Sequence, residues 1–210
     1  FFALALAFGL MTVWHQLHGA MAGATVQTED FWGRLAGSGM ALWFYLWKAL
    51  LPLHLSMIYP RWTIHPTAPL AYLPLLLWVG LLGVCWGFRS RWGRHALFGL
   101  GCFTVTLFPV LGFLDMYFLA LSRVSDHFAY LPLTAITAMV AAALSVLLKT
   151  GLVRFLGGAL VFGLCLLSAQ RAHVFGTEET LWRDTLARNP AAWCAHANLG
   201  WILADQRKYE

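Results

Sequence analysis

Long apolar segments alternate with short polar ones along most of the chain. The hydrocarbon core of a bilayer is about 30 Å thick and needs about 20 residues of helix to cross it, and several of these segments approach that length. We therefore predict an all-α fold, a bundle of transmembrane helices over residues 1–169. The predicted spans lie near residues 1–14, 69–88, 96–114, 128–148 and 155–169, with 40–51 as a further candidate.

The segment at residues 40–51 supports more than one interpretation. It is apolar, but it carries Lys48 and is followed by Pro52, which cannot continue a helix. The segment could cross the membrane with Lys48 facing the bundle, enter and leave on one side, or lie at the surface. A lysine beside two tryptophans slightly favours the surface, where the ammonium reaches water. The polar, glycine-rich stretch at 15–39 is predicted to be a loop.

The composition supports a membrane protein rather than a water-soluble one. Hydrophobic residues make up 60% of the chain and charged residues 11%, whereas a soluble domain carries about a quarter of its residues as charged ones. The net charge of +5 comes mostly from loop arginines, and no run of lysine or arginine is long enough to follow a nucleic-acid backbone. None of the four cysteines has the spacing of a metal site.

The distribution of positive charge predicts the orientation of the spans. The short loops at 89–95 and 149–154 hold arginine and lysine, so the positive-inside rule places both in the cytoplasm. The stretch at 115–127 and the tail at 170–210 then lie on the outer side, which is the periplasm if the membrane is a bacterial inner membrane, as we expect. The chain starts without methionine and stops inside an apparent helix, so we expect it to be part of a longer protein.

The tail carries its apolar residues at helical spacing among polar ones. Thr177 is placed to cap one helix and Asn189 to end it. The run from Pro190 to Gly200 resembles the opening of a tetratricopeptide repeat, a helix pair of about 34 residues. An unrelated amphipathic helix is the alternative, because Leu203 stands where the repeat usually has tyrosine. The residues that we assign to repeat packing or partner binding are Trp193, Asn198, Leu199, Gly200 and Tyr209.

Charged residues before the predicted span at 128–148 form the first candidate site. Arg123 and Asp126 stand three residues apart, so on a helix they would share a face and could pair. Ionisable residues at a membrane boundary are functional-site candidates. Arginine binds phosphate by two hydrogen bonds, aspartate acts as a base or metal ligand, and a histidine such as His127 can carry a proton. The structural alternative is an interfacial pair that fixes two helix ends. We assign no residue to a metal, although a divalent ion stays an option.

Lys48 and Arg61 form a second candidate group, together with His54, Tyr59 and His65. Arg61 precedes Trp62, and such a pair often anchors a chain at lipid headgroups. The functional interpretation is contact with an anionic, lipid-linked substrate. The same two alternatives apply to Lys48.

The stretch Ser-Asp-His-Phe-Ala-Tyr-Leu-Pro at 125–132 is similar to the S-D-R-[FY]-x-Y-L-P signature of the transmembrane and tetratricopeptide-repeat O-mannosyltransferase family. Bacterial relatives of that family also look like this chain at 46–48 and 59–62. The order of spans, signature, two further spans and repeats is shared as well. The signature residues that match are Asp126, Tyr130 and Pro132, and His127 replaces the usual arginine.

The resemblance implies an enzyme that transfers a hexose, often mannose, from a polyprenyl-phosphate carrier to a hydroxyl group of a protein. The bilayer, the lipid-linked sugar and the protein acceptor are then its partners. The family's general base is an acidic residue on the first outward loop, which we expect to lie outside this chain, so the chain alone would be inactive. The residues expected to line the lipid-phosphate and sugar side are Arg123, Asp126, His127, Tyr130, Lys48 and Arg61.

Two other functions stay open. One is a non-catalytic membrane scaffold whose repeats recruit partners in envelope or polysaccharide assembly. The other is a transporter, which the sequence favours less because it has no internal symmetry and no paired broken helices.

Overall fold

The computed structural model describes residues 2–15, 18–19, 29–147 and 151–206. The structure is 77% helical and has no strand among these residues, which confirms the predicted all-α fold for the described part of the chain. The helices in chain order are α1 Phe2–His15, α2 Phe31–Leu50, α3 Leu73–Gly87, α4 Gly93–Leu107, α5 Tyr130–Leu147, α6 Gly151–Val174, α7 Glu178–Arg188 and α8 Trp193–Asp205. Short 3₁₀ turns lie at Pro69–Tyr72, Phe108–Val110, Tyr117–Ala120 and Asp126–Ala129.

In the part of the chain that the structure describes, three helical stretches are long and apolar enough to cross a membrane, by length and composition. They are Pro69–Gly87, Asp126–Val146 and Gly151–Val174. This finding is compatible with an integral membrane protein, and the three stretches match three of the predicted spans. The last is longer than predicted because the helix continues through its polar end, past residue 169.

The predicted span at 96–114 is only partly helical. α4 ends at Leu107, and the chain continues as the 3₁₀ turn Phe108–Val110. Pro109 lies in this turn and has no amide hydrogen to donate, so it interrupts the α-helical ladder. The 15 residues of α4 therefore measure about 22 Å, less than the thickness of a hydrocarbon core.

The start of α2 differs most from the expectation. The predicted loop at 15–39 is wrong from residue 31 onward, because α2 begins at Phe31. Asp30 caps this helix, since its carboxylate accepts the Gly33 amide hydrogen at 2.8 Å. The polar and glycine-rich composition around this cap conceals it in the sequence.

Two glycines inside α2 mark close contacts rather than flexibility. A Cβ on Gly37 would lie 2.5 Å from the guanidinium of Arg123, and one on Gly39 would lie 2.5 Å from the backbone nitrogen of Leu75. Both distances are shorter than a van der Waals contact. Glycine at these positions lets the 121–125 segment and α3 approach the backbone of α2.

The core lies between α2, α3, α4 and α5. Tyr45, Trp78, Phe103 and Ile136, one from each helix, are at most 2% exposed. The Trp78 indole also donates to the hydroxyl of Thr104 at 3.1 Å, so its polar atom is satisfied inside the core. These four helices form a packed bundle with an apolar centre.

α7 and α8 form a hairpin that packs on the segment between α2 and α3. Thr177 caps α7 as predicted, because its hydroxyl accepts the Thr180 amide hydrogen at 3.2 Å, and α7 ends before Asn189, also as predicted. Asn189 Nδ2 donates to the carbonyl of Ile58 at 3.4 Å, and Ile58 is buried against Ala192. The tail therefore contacts the bundle at the end where α3 begins.

Candidate functional site

A hydrogen-bonded pair of side chains, Tyr59 and Asp126, forms the centre of the polar region at this end of the bundle. The Tyr59 hydroxyl donates to Asp126 Oδ1 at 2.8 Å and accepts the Ser56 amide hydrogen at 3.2 Å. Burial raises the pKa of Tyr59 above its ordinary value, and the Asp126 carboxylate raises it further. Tyr59 thus keeps its proton at neutral pH and remains a donor to Asp126.

Lys48 lies beside this pair, at the end of α2. Its ammonium donates to the carbonyls of Leu53 and His54, the second at 3.2 Å. His54 has a φ of 53°, in the left-handed region that non-glycine residues rarely adopt. The Lys48 nitrogen also lies 5.6 Å from the Phe44 ring centroid and 5.4 Å from that of Tyr59. Lys48 therefore orders the turn after α2, and its charge acts on Asp126.

The residues on either side of Asp126 are fixed from two directions. Ser125 is 1% exposed, and its amide donates to the Tyr45 hydroxyl at 3.0 Å. The Ser125 hydroxyl lies 2.7 Å from Nδ1 of His127, which is exposed and packs against the ring of Phe118. This short segment presents Asp126 and His127 on a well-supported backbone.

Arg123 occupies a different place from the one its spacing suggested. The prediction that Arg123 and Asp126 share a helix face is wrong, because residues 121–125 are not helical. Arg123 is 6% exposed and donates from Nη2 to the carbonyls of Arg34 at 3.0 Å and Leu111 at 3.4 Å. Burial lowers its pKa from the ordinary value, and the charge of Glu29 opposes that effect. Its guanidinium connects the 121–125 segment to the first half of α2.

Arg61 and Tyr130, two further residues predicted to bind substrate, are not part of the hydrogen bonding around Tyr59 and Asp126 in the described structure. Arg61 is exposed and lines a cleft of about 100 Å³ between the α2–α3 segment and the hairpin, where Asn189 and Trp193 form the facing wall. Tyr130 is 74% exposed at the start of α5. Of the six residues predicted to line the substrate side, Lys48 and Asp126 both contact Tyr59, and His127 follows Asp126 in the sequence.

Arg171 is a site residue that sequence reasoning missed. It lies near the end of α6, and its charge acts on both Tyr59 and Asp126. Its ion-pair partner is Asp184 on α7. A basic residue at the end of a span looks like an interfacial anchor in sequence, and nothing in its spacing indicates that its charge acts on Asp126.

The residues assigned to repeat packing lie on α8, except Tyr209, which falls outside the described residues. Asn198 Nδ2 donates to the Cys194 carbonyl at 2.8 Å within the helix, and Leu199 is half-buried. Trp193 is 58% exposed, and a Cβ on Gly200 would have nothing within 4 Å. α8 packs on α7, the helix before the repeat-like run.

Within the described ranges, no group of three or more His, Cys, Asp or Glu residues is placed to hold a metal ion. No protein-family model, curated protein or solved structure matches the chain.

Proposed function

We propose that this chain is the membrane part of a glycosyltransferase that transfers a hexose such as mannose from a polyprenyl-phosphate carrier to a hydroxyl group of a protein. The observation that carries the proposal is the Asp126 carboxylate, which Tyr59 holds by a hydrogen bond and on which the charges of Lys48 and Arg171 act. The similarity of residues 125–132 to the O-mannosyltransferase signature supports the same conclusion.

The chemistry suits this arrangement. In the transfer, the bond between the sugar's anomeric carbon and the phosphate oxygen breaks, and a bond to the acceptor oxygen forms. Negative charge then develops on the carrier phosphate, and nearby cations stabilise it. Lys48 and Arg171 supply positive charge near Asp126, and Asp126 can accept hydrogen bonds from sugar hydroxyls. The base that takes the acceptor proton is, in this proposal, the family's acidic residue on another outward loop.

Several features support an orientation with the site on the outer side of a bacterial inner membrane. The turn between α3 and α4 carries Arg89 and Arg91, Arg94 follows in the first turn of α4, and this end of α3 is opposite to the one near Tyr59 and Asp126. Under the positive-inside rule, that turn is cytoplasmic and the Tyr59–Asp126 end is periplasmic. The hairpin packs near Ile58 and so belongs to the same end.

The hairpin would present the protein acceptor, with α8 as the first helix of a tetratricopeptide repeat. One observation favours the alternative of a non-catalytic scaffold. Trp193 and Trp201 on α8 are 58% and 79% exposed, and exposed indoles of this kind suit partner binding.

A transfer assay tests the proposal. The full-length protein in membranes is given labelled polyprenyl-phosphate mannose, then the glucose analogue, with wild type compared to Asp126→Asn. Asp205→Asn is the control, because Asp205 is an exposed carboxylate on α8. We expect at least a tenfold loss of transfer in Asp126→Asn and none in the control. Full activity of Asp126→Asn would exclude this site, and absence of transfer from every donor would favour the scaffold.

A further inference from the structure

Arg171 makes an incomplete set of contacts. Its Nη1 pairs with Asp184 on α7, and its guanidinium lies 5.1 Å from the ring centroid of Phe175. Its Nη2 is buried and has no hydrogen-bond acceptor among the residues that the structure describes. A buried donor without an acceptor is costly, and a guanidinium binds an oxyanion best through two parallel hydrogen bonds. Asp184 uses one of the two terminal nitrogens of Arg171.

Asp184 is shared between two arginines. It accepts from Arg171 and also from Nε of Arg188, one turn further along α7, at 3.1 Å. The Arg188 pair is an exposed contact between neighbours on one helix, and such pairs are weak. Asp184 can therefore keep Arg188 as a partner when it releases Arg171.

The surroundings of Arg171 favour an anion. The charge of Arg171 acts on Tyr59 and Asp126, and that of Arg188 reaches Lys48. Arg171 and Arg188 share the single carboxylate of Asp184, so the two guanidiniums together carry one more charge than their common partner. An oxyanion would balance that charge and offer an acceptor to the buried Nη2.

The end of the helix that carries Arg171 is joined mainly to α7. α6 has no buried residue, and its end is held by the Arg171–Asp184 pair and by the hydrogen bond from the Thr180 hydroxyl to the Val174 carbonyl at 2.9 Å. If Arg171 exchanges Asp184 for another partner, the contact that changes is the one between α6 and α7. The α2–α5 bundle does not have to repack.

We propose that Arg171 is the anion-binding residue of this site and that a phosphate-type oxyanion displaces Asp184 from it. Asp184 acts as an internal substitute for the anion, so the tail hairpin senses whether the site is filled. The identity of the natural ligand as a carrier phosphate rests on the proposed function, whereas the exchange itself does not.

A binding experiment tests the exchange without any transfer reaction. The full-length protein in detergent is titrated with inorganic phosphate, and in parallel with polyprenyl phosphate in mixed micelles, while the midpoint of thermal unfolding is recorded. The variants are Arg171→Gln and Asp184→Asn. The control is Glu179→Gln, which breaks the Glu179–Arg183 ion pair on the same helix.

We expect Arg171→Gln to weaken binding at least tenfold, Asp184→Asn to strengthen it at least threefold, and Glu179→Gln to match wild type. Wild-type affinity in Arg171→Gln would overturn the site, and unchanged or weaker binding in Asp184→Asn would overturn the exchange. The Asp184 variant decides the question if Arg171→Gln does not fold.

Binding of both ligands identifies the phosphate group itself as the ligand, whereas binding of polyprenyl phosphate alone identifies a lipid headgroup. Phosphate binding through Arg171 in a protein that transfers no sugar would keep this inference and reject the proposed function.

Discussion

α2 and α6 are both mainly apolar, yet they have opposite surroundings. α2 holds glycine, serine, tyrosine and lysine among its apolar residues and buries eight of its 20 residues. α6 is apolar enough to cross a membrane and buries none. Glycine content does not separate the two helices, because α6 carries glycines as well, and a Cβ on its Gly163 would have nothing within 4 Å. The difference teaches that apolar content reports which solvent a helix tolerates, not whether the helix packs on its neighbours.

The largest test of this comparison uses a leucine pair. Leu107, at the end of α4, is 0% exposed in the bundle core, and Leu160 on α6 is 52% exposed. We expect Leu107→Ala to lower the free energy of unfolding by about 2–5 kcal/mol through loss of packing and a cavity. Leu160→Ala should change it by less than about 0.5 kcal/mol. Thermal or denaturant unfolding in detergent measures both, and equal losses would break the comparison.

The next largest effect on stability is expected from a pair of glycine substitutions. Gly39→Ala places a Cβ 2.5 Å from the backbone nitrogen of Leu75, which cannot rotate away as a side chain could. We expect a loss of about 1–3 kcal/mol from overpacking. A Cβ on Gly163 of α6 would have nothing within 4 Å, so Gly163→Ala should be neutral or stabilising by up to about 1 kcal/mol, as the helix propensities predict. Unfolding in detergent measures both variants, and a tolerated Gly39→Ala would show that α2 and α3 are not in close contact.

A pair of arginines compares a buried, hydrogen-bonded guanidinium with an exposed one. Arg123→Met removes the donor to the carbonyls of Arg34 and Leu111, and we expect a loss of about 1–3 kcal/mol. Arg91 is exposed on the α3–α4 turn, so Arg91→Met should cost less than about 0.5 kcal/mol. Unfolding in detergent is again the measurement. An unchanged stability of Arg123→Met would mean that its buried contacts contribute little.

The local sequence predicts those parts of the fold that depend on apolar composition and helix capping. The apolar runs at 69–88 and 128–148, the Thr177 cap and the end of α7 before Asn189 follow from composition and capping chemistry. The start of α2 could not be found in this way, because its glycines are chosen by what packs against them. Glycine in a close contact and glycine in a loop look alike in sequence.

The candidate site was predictable only in part for the same reason. Asp126 matches a residue of the signature and His127 stands where the signature has arginine, so both could be named from the sequence. The hydrogen bond from Tyr59 to Asp126 joins residues 67 positions apart. The charge that Arg171 exerts on Asp126 comes from another helix, α6. No spacing rule covers such distances, since the tertiary packing of the bundle and hairpin creates them.

The central claim is that the Tyr59–Asp126 hydrogen bond positions a carboxylate for sugar transfer. The most direct measurement is the transfer rate of the full-length protein with Tyr59→Phe, against Tyr72→Phe as a matched control. Each change removes one hydroxyl, and that of Tyr72 donates to the Pro66 carbonyl at 3.0 Å, away from Asp126. We predict at least a tenfold lower rate in Tyr59→Phe, at an unchanged half-saturating donor concentration, and a rate within about twofold of wild type in Tyr72→Phe; about tenfold corresponds to 1.4 kcal/mol of barrier. Equal rates in the two variants would contradict the claim.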